Sequence, residues 1–158
     1  MALTIRNATR TDCGTVLNFI RNLADYEQLS HEVIATESLL EQEVFAPNSH
    51  VQVLIAEWHN QPVGFALFFY NFSTFLSRKG IYLEDLFVLP ERRGKGIGKA
   101  LLKRIAEIAI ENNCGRVEWS VLNWNKPAID FYNSIGAKPM DEWTVYRLTG
   151  DKLTEFAK

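Results

Sequence analysis

Gly94, Gly96 and Gly98 stand at alternate positions, with Lys95 and Ile97 between them and Lys99 directly after. Glycine lets a backbone approach a ligand closely and turn its N–H groups to one side. These glycines lead into an apolar helical pattern that begins near Ile97, so free amides coincide with the positive end of a helix dipole. The chemistry this implies is anion binding, with a phosphate as the natural ligand. Upstream, Tyr82–Val88 reads as a strand and Pro90 ends it. The whole is a strand–turn–helix unit that positions the glycines.

Spacing excludes two common phosphate loops. A Walker A loop needs a glycine five residues before Gly98-Lys99, where this chain has Arg93, and Ala100 stands where that motif needs Ser or Thr. The dinucleotide fingerprint G-x-G-x-x-G is absent, because the glycines run G-x-G-x-G. The remaining pattern, Arg93-x-x-Gly96-x-Gly98 after a strand ending at Val88, resembles the pyrophosphate loop of the GNAT acetyltransferases. That resemblance implies acetyl-coenzyme A as the ligand, held by Arg93, Gly94, Lys95, Gly96, Ile97, Gly98 and Lys99.

The chain has 158 residues, long enough for one domain with a substantial core. Its 47% apolar and 23% charged residues are ordinary for a soluble globular protein. A net charge of −2 and a pI near 5.9 give no electrostatic footprint for nucleic acid. A mildly acidic surface suits a cationic small substrate instead. Cys13 and Cys114 have neither metal nor redox spacing and read as free thiols, and His31, His50 and His59 show no ligand spacing, so no metal is expected. The longest apolar run, Val63–Tyr70, is too short to span a membrane, and no signal peptide is visible, so a cytoplasmic protein is expected.

Periodicity supplies the supporting elements. Leu3–Ala8 alternates as a strand. Asp12 and Thr36 are candidate N-caps, the first for a helix bearing Val16, Leu17, Ile20 and Leu23, the second for one bearing Leu39, Leu40 and Val44. Val51–Trp58 and Val63–Tyr70 read as strands joined by His59-Asn60-Gln61-Pro62, and Tyr82–Val88 is the fourth strand. Ile97–Glu111 is a long amphipathic helix with Leu101, Leu102, Ile105, Ile108 and Ala109 on its buried stripe. Arg116–Leu122 reads as a strand, Pro127–Ile135 as a helix stopped at Gly136, and Trp143–Leu148 as a last strand. No linker, repeat or low-complexity tract interrupts them, so residues 1–158 are expected to form a single domain. Periodicity alone implies an α/β or α+β domain with a central mixed sheet. The order β-α-α-β-β-β-α-β-α-β matches a GNAT fold, whose sheet is mostly antiparallel and flanked by helices.

Four segments narrow the resemblance: Tyr82–Val88, Arg93–Gly98, Val-Leu-Asn-Trp-Asn at 121–125, and Pro-Ala-Ile-Asp-Phe-Tyr at 127–132. Together with Ala24-Asp25-Tyr26-Glu27 they resemble the diamine acetyltransferases, the spermidine/spermine group and its thialysine N-acetyltransferase relatives. An alkyl ammonium has a pKa near 10, and delivering it neutral at pH 7 costs roughly 4 kcal/mol. A carboxylate beside the amine can take that proton. The resemblance gives this role to Glu84, with Asp85 facing the other way on an ideal strand. It makes Tyr132 the acid that protonates the departing thiolate. It sets Asn125, Pro127 and Ala128 beside the cofactor arm, and directs the main-chain amides of Leu86, Phe87 and Val88 at the thioester oxygen.

For the amine, the resemblance implies Tyr26, Glu27, Glu84, Trp119, Ser120 and Glu142. Polyamine-specific members carry an acid shortly before the fourth strand, where this chain has Asn71-Phe72-Ser73-Thr74. Ser73 and Thr74 resemble the thialysine-type relatives, so a lysine- or ornithine-like amine competes with a polyamine. A homodimer is implied as well. A non-catalytic acyl-coenzyme A-binding module and a protein N-acetyltransferase are the alternative readings.

Overall fold

The computed structural model describes residues 2–158. Packing divides the chain into two compact units, one running to Ser120 and the other covering Val121–Lys158. The first unit holds a five-stranded sheet: β1 (Leu3–Asn7), β2 (Val51–Trp58), β3 (Gln61–Ser73), β4 (Arg78–Val88) and β5 (Val117–Trp119). Spatial order follows chain order, with every pairing antiparallel except the parallel β4–β5 pair. The expected mixed, mostly antiparallel sheet is therefore present. The β2–β3 turn has positive φ at both His59 (49°) and Asn60 (64°), the geometry that joins strands through two residues without splaying them.

Three helices complete this unit: α1 (Cys13–Tyr26), α2 (Glu37–Glu43) and α3 (Ile97–Glu111). Thr36 caps α2 as expected, its hydroxyl accepting from the Leu39 amide at 3.1 Å. Asp12 precedes α1 but makes no side-chain cap; its carboxylate takes the Thr9 amide at 2.7 Å and turns to Arg6. Helix α1 buries Val16, Leu17 and Phe19 against Val53, Ile55, Phe65 and Phe87 on one sheet face, with Phe19 stacked on Phe65 at 5.5 Å. The opposite face carries Leu54, Ala66, Phe68 and Val88 and receives the stripe of α3, including Ile97, Leu101 and Ile105. Fully burying a side chain of this size contributes about 2 kcal/mol, so these two layers fix where each β4 residue points.

The second unit contains α4 (Lys126–Ser134) and α5 (Gly150–Phe156). Asn125 caps α4, and Gly136 (φ 87°) closes it through Ala137 N–H to Tyr132 O and Gly136 N–H to Asn133 O, each 3.1 Å. The expected last strand is not formed: Trp143–Leu148 has strand composition but pairs with no strand among the described residues, and Trp143, Val145 and Tyr146 are exposed. The expected fifth strand, Arg116–Leu122, shrinks to Val117–Trp119.

Candidate active site

Pairing of β4 with β5 is confined to Ile81–Val117, Tyr82–Glu118 and Leu83–Trp119. Beyond Leu83, β4 continues to Val88 on β3 alone, which frees its other edge within this unit. At the same point the β3–β4 register slips: Phe68 faces Leu83 while Leu67 faces Asp85, leaving Glu84 as the extra residue of a bulge. The slip changes where the acids point. Asp85 shares its face with Phe87, and Tyr82 and Glu84 lie on that face before the slip, which is the α1 side. The ideal-strand expectation that Asp85 turns away from Glu84 is thereby corrected, because the bulge cancels one step of alternation.

Glu84 is exposed and Asp85 half-buried. Burial, then the charge of Glu84, then that of Glu27 push the Asp85 carboxyl up to about 7. Glu27, at the end of α1, is itself raised by burial. Among the described residues none of these three carboxylates has an ion-pair partner. Tyr82 and Ser120 hydroxyls lie 2.8 Å apart nearby, and Trp119 ends β5 beside Leu83.

The open edge of β4 offers a defined set of amides. Leu89 N–H donates back to Val63 O at 2.8 Å, so by alternation Phe87 also points toward β3, and Leu86 and Val88 point away. Of the three amides expected to meet a thioester oxygen, Leu86 and Val88 lie on the free edge. Phe87 does not, because its main chain belongs to the β3 ladder and its ring to the core.

From Val88 the chain makes a turn at Pro90–Arg92 and enters the glycine loop. Gly94 and Gly96 both have φ of 79°, a conformation side chains resist, with open space where a Cβ would stand. Gly96 forms the N-terminal boundary of α3, whose first turn contains no acid. Between Arg93 and Ala100 no amide donates to a backbone acceptor among the described residues. Lys95 and Lys99 are exposed. This set fits a pyrophosphate: unspent amides, a helix N-terminus whose first turn holds no acid, and two cations. Arg93 is exposed, and its side chain folds back along the protein surface: Nε donates to Val88 O at 2.9 Å and the guanidinium lies 4.6 Å from the Tyr26 ring centroid and 5.3 Å from that of Phe87.

In the second unit Asn125 is buried, and its Oδ1 accepts from Ala128 N–H at 3.5 Å with Pro127 in the first turn of α4. Tyr132 is half-buried on the same helix, its ring 5.8 Å from that of Phe131. Glu142 is exposed beyond it. Sequence reasoning missed the Glu84 bulge, which no residue type marks, and the contacts that Arg93 makes with Val88, Tyr26 and Phe87. No group of His, Cys, Asp and Glu among the described residues has the makings of a metal site.

A mostly antiparallel sheet whose β4 and β5 part beside an amide-rich loop and helix is the architecture of a GNAT-type acetyltransferase. Residues 18–137 match the acetyltransferase (GNAT) family, to which this chain belongs, and the chain is an acetyltransferase. It is 39% identical over 164 residues to the thialysine N-epsilon-acetyltransferase of Sus scrofa, spanning 97% of this chain and 96% of that protein. It is 34% identical over 199 residues to the L-ornithine N5-acetyltransferase NATA1 of Arabidopsis thaliana, spanning 98% and 87%. An integron cassette protein from the mobile metagenome of V. cholerae has a similar structure, with a TM-score of 0.84 at 34% identity over 100% of this chain and 99% of that one.

Proposed function

We propose that this enzyme transfers acetyl from acetyl-coenzyme A to a primary amine of a small cationic metabolite, an amino acid of the thialysine or ornithine type ahead of a polyamine. The observation that carries the reading is the free edge of β4 past Leu83, with Glu84 and Asp85 at its start and, after Val88 and the Pro90–Arg92 turn, the free amides of Gly94–Lys99. The first end suits an ammonium and the second a pyrophosphate. The similarity to acetyltransferases named for thialysine and ornithine supports the choice of amine. So does the segment before β4. Ser73 is buried with its hydroxyl accepting from Leu76 N–H at 3.2 Å, a turn contact rather than a second acid for a remote ammonium.

In this mechanism Gly94–Lys99 hold the pyrophosphate, while Asn125, Pro127 and Ala128 lie beside the cofactor arm. Leu86 and Val88 amides receive the charge that develops on the thioester oxygen, worth about 3 kcal/mol for one such donor. Glu84 accepts the ammonium proton, directly or through water, with Asp85 as its neighbour. Tyr26, Glu27, Trp119, Ser120 and Glu142 bind the amine, and Tyr132 returns a proton to the coenzyme A thiolate as the amide forms. Residues 1–158 are read as one domain, a reading supported by a family match that runs from residue 18 to residue 137.

The working form is a homodimer. Support comes from the exposed, strand-like Trp143–Leu148, where Trp143 (75%), Val145 (84%) and Tyr146 (93%) await cover. Free thiols at Cys13 and Cys114 suit a reducing, cytoplasmic setting. No helix among the described residues is long and apolar enough to cross a membrane.

Coenzyme A release measured with thialysine, ornithine, spermidine and no amine tests the reading. Release should be greatest with the two amino acids. Release with spermidine alone would reassign the substrate, and release with none would leave only an acyl-coenzyme A-binding module. Tyr132→Phe should lower kcat about 10²-fold with little change in melting temperature; an unchanged kcat would remove the tyrosine from the chemistry.

A further inference from the structure

Arg93 opens the pyrophosphate loop, yet its side chain contacts protein. Nε donates to Val88 O at 2.9 Å, and the guanidinium lies over Phe87, which is 3% exposed in the core, and over Tyr26, the last residue of α1. One side of this contact is rigid, because Val88 and Phe87 belong to β4. The other side is the helix end that carries Tyr26 into Glu27 and then Gln28, whose φ is 62°. The Arg93 backbone enters the two positive-φ glycines directly. Lys95 and Lys99 supply exposed charge to the loop, whereas the Arg93 guanidinium, on an equally exposed residue, is engaged by Val88 O and the two rings.

We infer that Arg93 is a positioning residue that couples occupancy of the glycine loop to the amine-binding end of α1. An anion that orders Gly94–Gly98 fixes the backbone from which Arg93 extends. The planar fork then holds the Tyr26 ring, and with it Glu27, in the geometry that receives an ammonium. A lysine cannot replace this contact, because it lacks the planar face and the Nε–H directed at Val88 O. The inference rests on the acetyltransferase reading and adds an order to it: amine affinity rises once the loop is filled. By linkage the same factor applies in reverse.

Calorimetry with coenzyme A and with thialysine, each titrated alone and in the presence of the other, tests this. Wild-type protein should bind thialysine about tenfold tighter when coenzyme A is present, equivalent to about 1.4 kcal/mol. Arg93→Lys should keep coenzyme A affinity within about threefold while abolishing the coupling. Tyr26→Leu should do the same, Tyr26→Phe should retain the coupling, and the Arg93→Lys/Tyr26→Leu pair should lose no more than either single variant. A wild-type coupling factor of one overturns the inference, as do additive losses or a Phe variant as impaired as Leu. Coenzyme A affinity that falls tenfold in Arg93→Lys with thialysine coupling intact makes Arg93 a phosphate ligand instead. A wild-type chain that binds no coenzyme A overturns the acetyltransferase reading itself, and the coupling with it.

Discussion

Near the start of the chain Arg6 sits 2.8 Å from Asp12 and 3.2 Å from Glu57, whereas beside the open edge of β4 Glu27, Glu84 and Asp85 gather with no ion-pair partner among the described residues. Both groups lie in the first unit and both set carboxylates in partly buried ground. Asp12 accepts from the Arg6 fork and the Thr9 amide, and these bonds hold its carboxyl at about 2. Asp85 has only burial and like charge around it and is pushed up to about 7. The first cluster joins β1, the turn before α1 and β2, and its charges are satisfied by the protein. The second leaves negative charge for a cation that the protein does not supply. Structure and function thus divide the same residue type by whether the counter-ion is built in.

The contrast is broken most severely at the β4 acids. Glu84→Gln should lower kcat/KM by about 10²-fold at pH 7, and the deficit should shrink toward pH 10 as the amine arrives already neutral. Asp12→Asn, assayed on folded protein, should stay within about twofold of wild type. A deficit for Glu84→Gln that is constant across this pH range would show that the residue binds the ammonium without accepting its proton.

Stability should give the next largest effect. Asp12→Asn removes charge-assisted bonds and leaves the Arg6 fork short of a partner, costing about 2 kcal/mol at pH 7. The folded-state pKa of Asp12 lies below its unfolded value, so its contribution is present above about pH 4 and is lost as pH falls through about 2. Urea unfolding of the two proteins should converge over that window. Equal stability at pH 7 would make the cluster incidental.

Asp85 should behave in the opposite sense. Its folded-state pKa is raised, so folding retains a proton that the unfolded chain releases, and stability falls as pH rises from about 4 through about 7. Asp85→Asn should therefore raise the melting temperature of ligand-free protein at pH 8 by about 3 °C, with no gain near pH 4. A loss at pH 8 would mean that the carboxylate has a cation in the folded state. Smallest of all, Glu57→Gln should cost about 0.5–1 kcal/mol, since Arg6 keeps Asp12 as its main partner. A cost matching that of Asp12→Asn would show the three charges acting as one unit.

Features built from near neighbours were legible in the sequence. The Thr36 cap, the His59-Asn60 turn, the α3 stripe and the glycine loop each follow from residue types within a few positions. The bulge was not, because alternation assumes a period of two and nothing in Glu84-Asp85 marks the extra residue. Arg6 and Glu57 are 51 positions apart, and a lone charge on a strand looks the same whether paired or solvated. Asp12 has the residue type of a cap, yet Arg6 offered it a stronger bond. Trp143–Leu148 shows the converse: strand composition without a partner strand leaves the segment irregular. Helix α5 was legible only through Asp151 in its first turn.

Because the sheet follows chain order, β2, β3 and β4 can zip together through short-range contacts, while β5 must await the whole of α3 before it docks in parallel. Closing that longer loop for only three residue pairs yields a modest reward for its entropy. The seam between β4 and β5 should therefore assemble late and open early, exchanging its amides well before the β3–β4 ladder does.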